Sequence, residues 1–344
     1  MAEIHLFGGP SGIGESILIK IDEENYGIVD SFINKSTDNP KVLDYLLQNS
    51  IDLLYVKFIV LTHCHKDHFT GIRILLENCT NAEFFTSKAI GIKSFQMLIS
   101  AYCKKVNSRN NYFTEIVEAF KLIKSKNKKV KMLQSGSKPI YEDSKISIQA
   151  FSPNKDTLEY LTPLYQNEVH RFLNSNGIRL LTTGFNYQSV VIILKMDNHR
   201  ILLGADLEYH KTKTKIGWKV LESLSEFDTE FDIFKVPHHG SENGYRKEFW
   251  NRILKKNSVL SLTPYSRSKL PRQQMINKLT GHSKAFLTTN PTHNQYKKLP
   301  SRIRKKTKDV DLKRIANVPG GHIHNYLGDN GDYETDLFEG AVEL

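Results

Sequence analysis

Apolar and polar residues alternate on both sides of "DEEN" in "ESILIKIDEENYGIVDSF", a period of two that predicts a β-hairpin near the N-terminus. After Pro40, "PKVLDYLLQNS" carries apolar residues at helical spacing, and "LLYVKFIVLTH" is a short apolar run ending at a histidine, so a helix should feed a buried strand. Residues 88 to about 131 are helical in pattern ("SFQMLISAYCKKV", "YFTEIVEAFKLIKSK") and are expected to form a helical insertion, a cover or lid. From 145 onward strands return in "KISIQAFSP", "SVVIILKM", "HRILLGADL", "FDIFKVPHHGS" and "NSVLSLTPY", with helices between them, notably "IGWKVLESLSEF". No repeat of fixed period and no Pro/Gly/Ser linker divides the chain, so one domain over residues 1–344 is expected.

Composition places the chain among soluble globular proteins: 39% hydrophobic, 25% charged and 10% aromatic. No window approaches 18 uncharged apolar residues, and the opening "MAEIHLFGGPSGIGES" lacks the basic-then-apolar build of a signal peptide. A cytoplasmic protein, with no membrane association, is therefore expected. Cys64, Cys79 and Cys103 form no CxxC pair and are odd in number, which argues for reduced, structural thiols. The net charge of +11 is carried by runs such as "KSKNKKVK" (124–131) and "RIRKKTK" (302–308). These would attract phosphate polyanions, or serve simply as a solvated face.

The densest chemistry lies in "IVLTHCHKDHFTGI", where H-x-H-x-D-H puts His63, His65, Asp67 and His68 on one tight loop at a strand's carboxyl edge. Imidazole and carboxylate suit zinc, manganese or iron, and the alternation lets His63 and His65 reach one ion while Asp67 and His68 turn toward a second. Further on, "RILLGADLE" ends a strand at Asp206, where one carboxylate can bridge two cations, although an aspartate after a strand also commonly caps a helix. "FKVPHHGSENG" ends another strand in His238 and His239. The isolated His170, His199 and His293 read as surface residues.

"LTHCHKDHFTG", "LLGADLE" and "KVPHHGS", in this order, resemble the metallo-β-lactamase fold, and specifically the hydrolase domain of the competence protein ComEC and its free-standing soluble relatives. "GIGESILIKI...YGIVDSF" is similar to that family's first strand pair, "NYQSVVIIL" to its Asn-x-x-Ser strand entry, and "NVPGGHIH" to its last strand. The resemblance implies an α/β fold, an αββα sandwich of two mixed sheets packed face to face with helices outside. It also implies two divalent transition-metal ions, zinc or manganese, activating a shared water as hydroxide. His63 and His65 would hold the first ion, Asp67 and His68 the second; Asp206 would bridge, and His238 or His239 would complete the set. Asp67 and Asp206 would be the catalytic carboxylates, Asp67 as proton shuttle. Asp30 would orient the histidine loop, and Asn186 and Ser189 match the strand-entry positions. The chain departs from the pattern at Ser152 in "AFSP" and in "SRSKLPRQQ", where relatives carry histidines; His282 or His322 are candidates to replace the second of these.

The fold hosts several substrates, so the substrate must come from the site. Arg267, Lys269, Arg272 and Ser241 fall on loops expected to rim the centre, and arginine grips phosphate in bidentate fashion. The first expectation is a phosphodiesterase, a nuclease acting on DNA or RNA. The second is a hydrolase of a small anionic substrate such as a cyclic nucleotide, ester or lactone, with 88–131 as lid. The third is a non-catalytic or regulatory module of a multi-protein bacterial system.

Overall fold

Apolar runs too continuous for one-sided strands need cover on both faces, and the chain provides it by stacking two sheets and flanking them with helices. The computed structural model describes residues 2–10, 12–106, 112–174, 180, 182, 184–196, 198–289 and 320–344. In spatial order the first sheet comprises Tyr333–Glu339, Gly321–Leu327, Ala2–Gly8, Glu15–Lys20, Tyr26–Val29, Val56–Leu61, Glu83–Ser87 and Val130–Leu133. The second comprises Val342–Glu343, Lys284–Leu287, Leu254–Leu262, Phe231–Lys235, His199–Leu203, Ile192–Met196, Ile146–Ala150 and Tyr141–Glu142. Both sheets are mixed, with parallel pairing through Tyr26–Val29, Val56–Leu61 and Glu83–Ser87 in one, and through His199–Leu203, Phe231–Lys235 and Leu254–Leu262 in the other.

Strand alternation sorts the core into layers. Ile4, Leu6, Ile17 and Ile19 meet Ile146, Ile148, Ile192 and Leu194 between the sheets. Phe7, Leu18 and Ile28 point outward beneath the helices Lys41–Gln48, Lys93–Lys105, Thr114–Ser125 and Lys155–Asn174, whose buried residues include Leu46, Phe95, Ile116 and Tyr165. On the far side Val191, Ile193 and Phe234 pack against Trp218, Trp250 and Leu279. This is the expected αββα sandwich. Among the described residues no helix is long and apolar enough to cross a membrane.

Several sequence expectations need correction. "IGWKVLESLSEF" is α-helical only over Trp218–Leu221. The Ser223 hydroxyl there bonds the Val220 carbonyl, competing with the helix ladder, and the chain passes into a 3₁₀ turn at Ser225–Phe227. A strand, Ala2–Gly8, precedes the expected hairpin and pairs with both Glu15–Lys20 and Gly321–Leu327. The "GGHIH" strand is followed by two more, so it is not the last. His199 is buried rather than superficial, its Nε2 lying 2.8 Å from the Gly328 carbonyl; His170 is exposed, and His293 lies outside the described residues, as does the run 302–308. The helices of 88–131 form part of the outer layer over the first sheet.

Candidate metal centre

Four strand ends deliver the site, all at carboxyl termini of parallel strands. Tyr26–Val29 ends at Asp30, Val56–Leu61 at the histidine loop, His199–Leu203 at Asp206 and Phe231–Lys235 at His238 and His239. Four of these connecting residues take left-handed backbone conformations without being glycine: Asp30 (φ 60°), Ala205 (φ 44°), His238 (φ 47°) and His239 (φ 52°). Strain of this kind persists where surrounding contacts over-determine it and concentrates at functional sites.

The histidine loop is held from three directions. Asp30 accepts from the Thr62 amide (2.8 Å) and hydroxyl (2.7 Å), and its Oδ2 lies 2.8 Å from His68 Nδ1. The Cys64 peptide is clamped between the Gln188 side chain, which accepts its N–H at 3.1 Å, and the Tyr112 hydroxyl, which donates to its carbonyl at 2.9 Å. Burial pushes the Cys64 thiol well above its ordinary pKa, so it stays protonated and serves as a spacer. Ser189 Oγ accepts the Asp206 amide at 3.2 Å.

With this support two triads form. One ligand-type atom from each of His63, His65 and Asp206 falls within 4.8 Å of the others, and the same holds for Asp67, His68 and His239. Asp206 stands between them, 3.6 Å from His63 Nε2, 3.5 Å from His68 Nε2 and 3.4 Å from His239 Nε2. His68 Nε2, His239 Nε2 and Asp206 Oδ1 are buried and lack a hydrogen-bond partner, although they converge. Orphaned buried atoms are costly, and a cation among them would satisfy all three. The donor chemistry, imidazole with carboxylate, fits borderline divalent metals.

Protonation follows from the same geometry. Burial, reinforced by His63, lowers His65 to about 3. Burial would also lower His239, but the Asp206 and Asp67 carboxylates outweigh it and push that imidazole up to about 10; His68 rises for the same kind of reason, beside Asp206 and Asp30. Asp67 and Asp206 are held below the usual carboxylate range by these imidazoles despite their own burial. Metal uptake here must therefore displace protons.

Of the adjacent histidines, the structure brings in His239 and leaves out His238, whose Nδ1 lies 2.9 Å from Glu208 Oε1 and whose Nε2 lies 3.2 Å from Asn186 Nδ2. Asn186 thus sits beside the centre, donating to Glu208 at 2.7 Å. Ser152 does not face the cluster: its hydroxyl donates to the Ser189 carbonyl (2.6 Å) and accepts the Val191 amide (2.8 Å). Neither His282, 2.9 Å from the Tyr245 hydroxyl, nor His322, 3.0 Å from His5, takes the place of a missing family histidine. Ser241 Oγ caps its own turn at Asn243. Arg267, Lys269 and Arg272 are exposed; Tyr265, two residues before Arg267, stacks its ring on His239 at 5.2 Å between centroids.

The sequence pattern did not single out the layer beneath. Glu15 and Lys235, 1% and 3% exposed, pair at 2.5 Å. Lys235 also donates to the Ala205 carbonyl at 3.0 Å, and Thr263 donates to Glu15 while lying 3.0 Å from His239 Nδ1. A lysine inside the apolar run "FDIFKV" was the available signal, since a charge there needs a buried partner.

A cavity of ≈ 560 Å³ opens beside His65, lined by Tyr160, Asn186, Tyr187, Glu208, His210 and Lys211 among others. Among the described residues, none of 88–106 or 112–131 lines it.

No protein-family model and no curated protein matches the chain. Solved structures similar to it include the metallo-β-lactamase fold protein YhfI from Bacillus subtilis, at 11% identity over 83% of this chain and 96% of that one, with a TM-score of 0.42. A mutant of the HARLDQ-motif metallo-β-lactamase from Cronobacter sakazakii is similar at 14% identity over 66% and 74%, with a TM-score of 0.38. The Rm3 metallo-β-lactamase is similar at 12% identity over 70% and 80%, with a TM-score of 0.37.

Proposed function

We propose that the protein is a metal-dependent hydrolase of phosphodiesters, a nuclease acting on DNA or RNA. The observation that carries the hydrolase reading is the pair of triads meeting at Asp206, with three buried polar atoms orphaned between them. His63, His65 and Asp206 would hold one divalent cation, zinc or manganese, and Asp67, His68 and His239 another. Bound there, two such ions would supply Lewis acidity and lower the pKa of water. The chain's own part is positioning and proton handling. Asp30 fixes the His68 ring, Thr263 lies against His239 Nδ1, and Asp67 would take a proton from an attacking water.

The phosphodiester reading is supported by the resemblance to the ComEC-type hydrolase domain, by the net charge of +11, and by Arg267 beside the ring that stacks on His239. The cavity beside His65 favours a second reading, a small anionic substrate such as a cyclic nucleotide, because its volume is that of a small-molecule site.

The test is a substrate panel of plasmid, single-stranded DNA, RNA, a cyclic nucleotide and bis-p-nitrophenyl phosphate, with Mn²⁺ or Zn²⁺ and a His65→Ala control. Cleavage of polynucleotide, lost in the variant and steeply salt-dependent in binding, is expected. Intact polynucleotide with a hydrolysed small diester would leave the second reading. Substantially less than one equivalent of transition metal after gentle purification would favour a regulatory module instead.

A further inference from the structure

A second gathering of imidazoles lies on the outer face of the first sheet and shares no residue with the centre above. Strand register creates it. Ala2–Gly8 runs antiparallel to Gly321–Leu327 with His5 opposite His324, Phe7 opposite His322 and Glu3 opposite Tyr326, while Lys20 of the neighbouring strand faces Glu3. Ile4 and Leu6 point between the sheets, so Glu3, His5 and Phe7 occupy the other face by strict alternation. His5, His322 and His324 are all buried there, which is unusual company for three imidazoles that packing alone does not require.

Their polar atoms converge. His5 Nε2 lies 3.1 Å and His324 Nε2 2.8 Å from the same oxygen, Glu3 Oε2. The other Glu3 oxygen is held by Lys20 at 3.1 Å, and the other His5 nitrogen by His322 at 3.0 Å. One ligand-type atom from each of Glu3, His5 and His324 thus falls within 4.8 Å of the others. Ligating imidazoles characteristically use their second nitrogen in an orienting hydrogen bond, and His322 is placed to provide it. Lys20 is shared with Glu23 at 2.8 Å, so the two carboxylates and one ammonium leave the spot with a negative charge.

We infer that Glu3, His5 and His324 form a second, mononuclear site for a borderline divalent transition metal, of which zinc is the type. Two imidazoles and a carboxylate select zinc, nickel or copper over magnesium and calcium, and three protein ligands leave a position for solvent. Because Glu3 and His324 are 321 residues apart in sequence, an ion between them would staple the N-terminal strand to Gly321–Leu327 and stabilise the folded chain by mass action. The same atoms can also be satisfied without an ion, by two Nε2–H donors on one carboxylate oxygen. Uptake of zinc separates the two arrangements.

The experiment titrates metal-depleted full-length chain with Zn²⁺ by calorimetry and follows Tm, in a His63→Ala/His68→Ala/Asp206→Ala/His239→Ala background that removes ligands from both triads of the first centre. About one equivalent should bind and raise Tm, and Glu3→Gln or His324→Gln should weaken binding at least roughly tenfold and remove the rise. No uptake in that background, or uptake and a Tm rise unaltered by both substitutions, overturns the inference. If the background chain fails to fold by circular dichroism, total zinc is compared between the wild-type chain and Glu3→Gln. A loss of about one equivalent is then expected, and equal totals overturn it.

Discussion

Replacing Asp30 by asparagine tests how the site is preorganised with the least collateral change. Asn tolerates the left-handed conformation that Asp30 adopts (φ 60°), and its carbonyl can keep the bond from the Thr62 amide. What changes is the atom facing His68 Nδ1 at 2.8 Å, where a carboxylate oxygen becomes an amide donor. To avoid two opposed donors, His68 must carry its proton on Nε2, the nitrogen directed at Asp206 and Asp67. That tautomer cannot ligate through Nε2. A hydrogen bond to a charged group contributes about 1.5–3 kcal/mol, which corresponds to roughly a 10–100-fold loss of metal affinity. Competition against a chromogenic chelator measures the affinity, and circular dichroism verifies folding. Zinc affinity within twofold of wild type in a folded Asp30→Asn protein would refute the reasoning, because His68 would then not depend on Asp30 for its tautomer.

Further outcomes follow from other contacts. His239→Ala should reduce metal-dependent hydrolysis by at least roughly 100-fold, whereas His238→Ala, which touches Glu208 and Asn186 instead, should cost about tenfold or less; steady-state kinetics on bis-p-nitrophenyl phosphate compare them. Lys235→Met leaves the Glu15 charge buried and should destabilise the fold by about 3–5 kcal/mol in urea denaturation; the double variant with Glu15→Gln should recover much of it, and additive losses would count against the pairing. In chelator-treated protein, His239, raised to about 10, contributes stability fully present below the ordinary histidine pKa of 6.5 and lost as pH climbs from there to about 10. Thermal melts in that window should show the decline without metal and a smaller one with it.

The histidine loop was legible because its chemistry is local: four ligand-type residues in six positions, at the end of an apolar run, need no long-range information. The same locality made Asp206 and the His238/His239 pair readable as strand-end residues, and the alternating or continuous apolar runs announced strands with helices between them, whereas the two-sheet sandwich was implied by the resemblance of the motifs. Where local rules compete, the reading failed, as at "LESLSEF", where the Ser223 hydroxyl takes the Val220 carbonyl and the chain passes into a 3₁₀ turn instead of the helix expected there.

Tertiary structure alone decided which of two consecutive histidines joins the centre, because His238 and His239 both sit at positive φ and the turn sends their rings to opposite partners. It alone paired Glu15 with Lys235, which depends on how the two sheets stack, and set His5 against His324, which depends on strand register across most of the chain's length. Spacing along the sequence determines what a single loop or strand end can offer. Which offers meet is settled only when both sheets close over one core, since register and burial then hold together side chains that no local pattern relates.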